Sequence, residues 1–379
     1  MPNYQVQQIS FAMSRMVFVS LIIVFLCTIF TACNPDKEVN QPTYLWGIQT
    51  KPLVIDSCFS PERFGIIGPR IIPPTEGKEI HKIAFDPLDD NALYITTYRR
   101  IVVGREVEET DSDLYRVELN NNAVSFVTSL TDLRSQDLVV NAKGDLLSPA
   151  QGEGFTIFNL NSLELKTENL ASEFYPTNQS PYWISDSSFW LPAGLLDAEE
   201  QAYGALILYS DKGTIIDTFA SRYLNILRRV SRSRNEAMIL TSRDDERFTH
   251  SLYVYDQNQH AIVDSMAHPS LNDNRVIRGL ASPHWLNDQQ VLLQFTSLFM
   301  IADIKQQTYQ LIPSQFSGRN WECRNLEIRS LQVVPNRPNE VLYVLNQFYY
   351  NELGEYRKRH DIIHLDIETG EENVLKIDF

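Results

Sequence analysis

An all-β fold assembled from one repeated unit follows from three features of this 379-residue sequence. Six times, a short run rich in β-branched and aromatic residues ends in an acid, amide or serine and passes through a turn into a second strand. The runs are Leu114–Glu118, Phe155–Asn159, Leu206–Ser210, Leu252–Asp256, Phe299–Asp303 and Ile362–Asp366. Their last residues lie 41, 51, 46, 47 and 63 positions apart, the period of a four-stranded propeller blade rather than of a helical repeat. Around each run, further alternating segments are bounded by turn formers, as strands of a repeated sheet require. The expected fold is an all-β, six-bladed β-propeller over residues 80–379, the alternative being seven blades with one hidden in residues 44–79.

Residues 1–33 read as a signal peptide. Met16–Pro35 carries no charge, follows Arg15 and is rich in Val, Leu, Ile and Phe up to Leu26, the flank and apolar middle of a secretory signal. It closes on Phe30-Thr31-Ala32-Cys33, which resembles a bacterial lipoprotein processing site, with Cys33 lipidated and made the new N-terminus. Asn34-Pro35-Asp36-Lys37-Glu38 resembles the surface-export signal of Bacteroidetes lipoproteins. An uncleaved membrane anchor and simple secretion are the other readings. A di- or triacyl anchor supplies the multiple chains that stable attachment needs. The expected location is the bacterial cell envelope, lipid-anchored to the outer membrane and either periplasmic or surface-exposed. Residues 34–43 are then a polar tether, and 44–79, with Tyr44–Ile48, a segment that packs on the propeller by adding a strand to the final blade or covering one end.

Composition narrows the partners. The chain carries a net charge of −15, which becomes −16 once Arg15 leaves with the signal, and this argues against nucleic acid, whose binders neutralise phosphate. Of four cysteines, Cys27 leaves with the signal and Cys33 takes lipid. Cys58 and Cys323 remain, either as a disulfide in an oxidising envelope or as two unrelated buried thiols.

The blades place the loops. In the first repeat the strands are Ile80–Phe85, Ala92–Thr96, Leu114–Leu119 and Val124–Val127; in the last they are Ser330–Val334, Glu340–Leu345, Ile362–Asp366 and Glu372–Ile377. Strands that run up and down put tight turns such as Asn120-Asn121-Asn122 and Glu368-Thr369-Gly370 on one face. The other face takes the insertions 97–113, 194–204, 242–250 and 346–360 and the links 169–180, 267–277 and 314–327. Loops that long are more often functional than accidental, so recognition is expected on that face.

Basic residues recur near the starts of inner strands: His81 and Lys82, then Arg228, Arg278 and Arg329. If they line the central channel they would focus a site for a carboxylate, sulfate or phosphate group. If they point between blades they pair with neighbouring acids. Tyr349 and Tyr350, with Trp321 on the preceding link, are aromatic anchors for a sugar or protein partner, the alternative being that Phe348–Tyr350 continue a long strand. No His-Glu-x-x-His, Cys-x-x-Cys, Gly-x-Ser-x-Gly or phosphate-binding glycine loop occurs, so no catalytic residue, metal ligand or cofactor is assigned.

Targeting signal and repeat together resemble the six-bladed propeller lipoproteins of Bacteroidetes, distantly similar to the propeller domain of the periplasmic protein TolB. The resemblance implies a fold and a place, and carries over no catalytic residue. The expected function is a monomeric, non-catalytic binding or scaffold module for a protein, peptide or glycan, working through the long-loop face. The alternative is a propeller hydrolase or lyase acting on an acidic carbohydrate at the channel mouth.

Overall fold

The computed structural model describes residues 43–55, 75–76, 78–103, 106–130, 138–149, 154–176, 181–196, 202–221, 230–232, 237–244, 249–256, 259, 261–266, 282–294, 299–314 and 326–379. Every regular element among them is a strand, and none of them forms a helix long and apolar enough to cross a membrane.

Three short strands come first: β1 (Thr43–Leu45), β2 (Ile48–Pro52) and β3 (Thr75–Glu76). Six antiparallel sheets follow in chain order. The first is β4 (Ile80–Asp86), β5 (Asp89–Val103), β6 (Glu106–Glu118) and β7 (Ala123–Ser129). The second is β8 (Val139–Val140), β9 (Asp145–Pro149), β10 (Gly154–Asn159) and β11 (Leu165–Asn169). In the third, β12 (Phe174–Pro176) and β13 (Tyr182–Ser185) share one edge of β14 (Ser188–Leu196), and β15 (Ala202–Ser210) and β16 (Ile215–Ser221) follow outward. The fourth is β17 (Val230–Arg232), β18 (Ala237–Asp244), β19 (Thr249–Asp256) and β20 (Ala261–Met266). The fifth is β21 (Ser282–Trp285), β22 (Gln290–Gln294), β23 (Phe299–Asp303) and β24 (Thr308–Leu311). The sixth is β25 (Leu326–Val334), β26 (Arg337–Tyr350), β27 (Tyr356–Asp366) and β28 (Glu372–Leu375).

The first strands form a closed circuit. β4 adjoins β8, β8 adjoins β13, and the succession runs through β17, β21 and β25 back to β4. A ring of first strands with hairpins running outward from it is a β-propeller.

Apolar side chains fill the spaces between neighbouring sheets. Ala84, Leu114, Leu138 and Leu146 join the first sheet to the second, and Leu147, Phe155, Phe189 and Tyr209 the second to the third. Trp190, Leu206 and Tyr255 join third to fourth, and Leu252, Val254, Val291 and Leu293 fourth to fifth. Leu292, Phe299, Leu331 and Tyr343 join fifth to sixth, and Ile83, Leu93, Leu342 and Val344 join sixth to first. Successive strand residues face opposite sides, so Leu146 and Leu147, or Leu342 and Tyr343, serve different interfaces. This explains why the middle strands read as unbroken apolar runs: a sheet in this ring is buried on both faces. Each fully buried Leu or Phe contributes about 1.5–3 kcal/mol.

In five of the six sheets the acid, amide or serine that ends the third strand has a mechanical role. Asn159 Oδ1 accepts the N–H groups of Asn161 and Ser162 at 3.0 and 2.8 Å, and Asp366 Oδ1 those of Glu368 and Thr369, both at 2.9 Å. Asp303 Oδ1 takes Gln306 N–H at 2.8 Å, Asp256 Oδ1 takes Gln259 N–H at 3.2 Å, and Ser210 Oγ takes Lys212 and Thr214 N–H at 3.3 and 3.1 Å. The short side chain mimics a backbone turn and satisfies amides that the ladder leaves over.

The structure differs from the sequence expectation on the opposite face. The segments expected as long insertions, 97–113, 194–204, 242–250 and 346–360, are largely continuations of paired strands: β5 runs on to Val103 and β6 starts at Glu106, and β26 runs on to Tyr350. The cause is local. Alternating, β-branched and aromatic sequence carries the ladder outward, and cross-strand partners are available at every position from Tyr343↔Ile363 to Tyr350↔Tyr356.

Candidate functional site

The β26–β27 ladder is longer than the described pairing of the strands beside it. Among the described residues the pairing of β25 reaches Gln347 and that of β28 reaches Ile362, whereas Phe348, Tyr349 and Tyr350 go on to pair with Lys358, Arg357 and Tyr356. The segment β3 flanks part of this extension, pairing in parallel with β27 at Lys358 and Arg359. Asn351 ties off the tip: its Oδ1 accepts Leu353 and Glu355 N–H at 3.1 and 2.8 Å, and Gly354 at φ 72° makes the left-handed step that glycine takes without a Cβ penalty.

Strand alternation gives the hairpin two chemically distinct sides. On one side Phe348 and Tyr356 stack at 6.0 Å with ring planes 20° apart, and Tyr350 meets Tyr356 at 5.3 Å. The Lys358 ammonium lies 5.6 Å from the centre of the Phe348 ring and is fully buried, while Tyr350 is 43% exposed and Leu353, at the apex, 82%. On the other side the Arg359 guanidinium lies 5.4 Å over Tyr349. It donates to Gln347 Oε1 at 3.1 and 2.7 Å and pairs with Asp361 at 2.9 Å. Burial pushes the Asp361 carboxyl above the usual carboxylate range, opposed by Arg359 and Lys51. Glu355, at the exposed tip, is held below that range by hydrogen bonds from Arg357 and Asn351. A planar cation over an aromatic ring is preorganised for recognition because little freedom is left to lose.

Three of the residues anticipated for a channel site, His81, Lys82 and Arg329, are among the described residues. Lys82 is only 4% exposed and lies on the side of β4 that also carries Ala84, part of the core toward the second sheet. Its neighbour His81 is half-buried at a bulge, where the pairing of β4 with β5 shifts between Ile80 and Lys82. Arg329, on β25, is paired with Glu327 at 3.0 Å. Glu327 also accepts from Asn346 Nδ2 at 3.3 Å, so this arginine belongs to a structural cluster between strands. Arg228, Arg278 and Trp321 lie outside the described residues, as do Cys33, Cys58 and Cys323. Tyr349 and Tyr350 stand together on the β26–β27 hairpin, on opposite sides of it.

Sequence reasoning missed a shallow cleft. A cleft of about 190 Å³ opens on the tight-turn face between the fifth and sixth sheets, lined by Trp285, Asn287, Val333, Pro335 and Pro338. It is smaller than the roughly 300 Å³ at which small-molecule sites begin. No group of three or more His, Cys, Asp or Glu among the described residues could hold a metal ion.

No protein-family model matches the chain, and no curated protein sequence matches it. Solved structures do. The C-terminal WD40 domain of Sif2 is similar at 11% identity and TM-score 0.44, over 81% of this chain and 98% of that one. A protein of unknown function from Bacteroides caccae is similar at 11% identity and TM-score 0.47, over 71% of this chain and 92% of that one. TolB from Acinetobacter baumannii is similar at 14% identity and TM-score 0.44, over 63% of this chain and 55% of that one. The propeller assignment itself rests on the closed circuit of strands in this chain.

Proposed function

We propose that this chain is a six-bladed propeller lipoprotein of the bacterial cell envelope, anchored through Cys33, that binds a peptide, glycan or protein partner through the β26–β27 hairpin. The blade count is supported by the six sheets and by one apolar cluster at each junction between them. The anchor is supported by the uncharged apolar run before Ala32-Cys33. The carrying observation for binding is this hairpin itself. It holds Tyr356 against both Phe348 and Tyr350 on one side and Tyr349 with Arg359 on the other, and presents Tyr350 and Leu353 to solvent. Tyr and Arg are the residues that most often dominate binding energy, because they bury much area at small cost in freedom.

Glycan and peptide arrays probed with the soluble form lacking residues 1–33 test the recognition half. Array signal is expected to fall at least about tenfold in Tyr350→Ala/Tyr356→Ala, the loss expected of a hot spot; undiminished signal in a folded double variant rules the hairpin out. Fractionation tests the anchor: Cys33→Ser is expected to move the protein from the membrane to the soluble fraction, and continued membrane retention would refute lipidation at that residue.

A further inference from the structure

Three aromatic rings that belong to neither the hairpin nor an apolar junction meet at Tyr115. On β6 this residue stands opposite Phe126 of β7, and the two ring centres are 5.8 Å apart with planes at 73°. Phe379 meets Tyr115 at 5.5 Å and 83°. Strand pairing fixes Phe126. Phe379 is held through its neighbours, because Asn122, in the turn between β6 and β7, donates from Nδ2 to Asp378 Oδ2 at 3.1 Å and to Lys376 O at 3.0 Å. Both phenylalanines nevertheless face water: Phe126 is 58% exposed and Phe379 40%. Single exposed aromatics are ordinary, but two that share a partner ring make a continuous apolar surface, the kind that marks a binding site.

A chain of polar groups runs beside the rings. Lys78 Nζ donates to Tyr115 Oη at 3.0 Å, Tyr115 Oη donates to Asp113 Oδ2 at 3.4 Å, and Ser129 Oγ donates to Asp113 Oδ1 at 3.0 Å. Lys78 and Ser129 are exposed, and Tyr115 and Asp113 half-buried. Each link orients the next, and none exhausts its groups: an ammonium has further donors, and a carboxylate and a hydroxyl further lone pairs, beyond those that one bond uses.

These features narrow the ligand. A purely apolar partner would cover Lys78, Asp113 and Ser129 without giving them bonds, which costs free energy. An ammonium and a carboxylate on the same phenol favour neither sign of charge, and the net charge of −15 repels a polyanion. An uncharged sugar meets both demands, since its C–H face is apolar and its hydroxyls stand at the edge as donors and acceptors.

We infer that Phe126, Tyr115 and Phe379, with Lys78, Asp113 and Ser129, form a second binding surface, and that its ligand is a neutral oligosaccharide. The exposed rings take the C–H faces of the sugars and the polar chain takes their hydroxyls. Little ordering is needed on binding, because strand pairing and Asn122 already hold the rings in place.

An array of neutral and uronic-acid oligosaccharides, probed with the full chain in detergent, tests this. The parent is expected to bind a set of neutral oligosaccharides whose signal falls at least about tenfold in Phe126→Ala/Phe379→Ala and persists in Tyr350→Ala/Tyr356→Ala, a set distinct from any spots that depend on the hairpin. Asp113→Asn/Ser129→Ala leaves the rings in place and is expected to lower the same signal about threefold or more. No neutral oligosaccharide bound, an equal or stronger signal on uronic acids, or full signal in either the aromatic or the polar variant overturns the inference. Loss in the hairpin variant alone also overturns it, while leaving the hairpin reading standing. Sedimentation covers the other occupant: a parent dimer that Phe126→Ala/Phe379→Ala dissociates, with no glycan bound, assigns the surface to a second copy instead. Should the double variant fail to fold, Phe126→Ala alone is judged by the same outcomes.

Discussion

Tyr255 and Tyr343 are both fully buried phenols, yet their hydroxyls are treated in opposite ways. Tyr343 Oη donates to Glu372 Oε1 at 2.7 Å, while Tyr255 Oη has no hydrogen-bond partner among the described residues. Removing a buried polar atom that makes no bond relieves a desolvation cost, whereas removing a donor from a buried carboxylate creates one. Tyr255→Phe is therefore expected to stabilise by about 1 kcal/mol and Tyr343→Phe to destabilise by about 1–3 kcal/mol, read from urea unfolding at pH 7. Burial also pushes the Tyr255 phenol up to about 12, helped by Asp217 and Asp256, and drives Tyr343 well above its ordinary value. The folded state thus binds a proton that an unfolded tyrosine releases near about pH 10. Stability from this source is intact below that pH and is lost as pH climbs through the Tyr255 value of about 12. A shallower alkaline decline in Tyr255→Phe than in the parent is expected. Nothing in Leu252-Tyr253-Val254-Tyr255 tells which tyrosine finds a partner, and the acid that serves Tyr343 is 29 residues away, so these roles were not legible from local sequence.

Turns are the elements where sequence and structure agree most closely. An acid, amide or serine after a β-rich run acts through its own next few amides, so its role needs no long-range information. Asp366→Ala is expected to cost about 1–2 kcal/mol, for two amides left without an acceptor, and Asp366→Asn to retain most of that, since an amide oxygen still accepts; chemical denaturation measures both. Gly370 in the same turn is different. Its φ of 73° is a local requirement, but an added Cβ would also meet the Pro313 carbonyl oxygen at 1.6 Å, a contact with the fifth repeat that local sequence does not reveal. The hairpins on the opposite face were harder to read: Phe348-Tyr349-Tyr350 fits either a loop rich in binding residues or a continued strand, and only cross-strand pairing with Tyr356–Lys358 decided for the strand. The candidate site was accordingly legible in composition but not in geometry. Tyr349 and Tyr350 were visible as aromatics, but neither the support of Tyr349 by Arg359 nor the separation of the two rings onto opposite sides was.

At the scale of the whole molecule, stability resides in the junctions between sheets. Leu342 is fully buried where the sixth sheet meets the first, and Leu342→Ala is expected to cost about 2–5 kcal/mol. Leu88, 75% exposed in a tight turn, should change stability by no more than about 0.5 kcal/mol when made alanine; comparable losses in the two variants would contradict a core located between sheets. By itself the sequence determined that the chain is all-β, that its unit is a four-stranded repeat, and where its tight turns fall, because alternation and turn chemistry are short-range and act within a few residues. Tertiary structure decided which basic residues are buried or already paired, how far each hairpin ladder runs, and how the C-terminal residues meet the first sheet. Those outcomes depend on contacts between residues as far apart as Asn122 and Lys376, 254 positions away, and no local pattern encodes them.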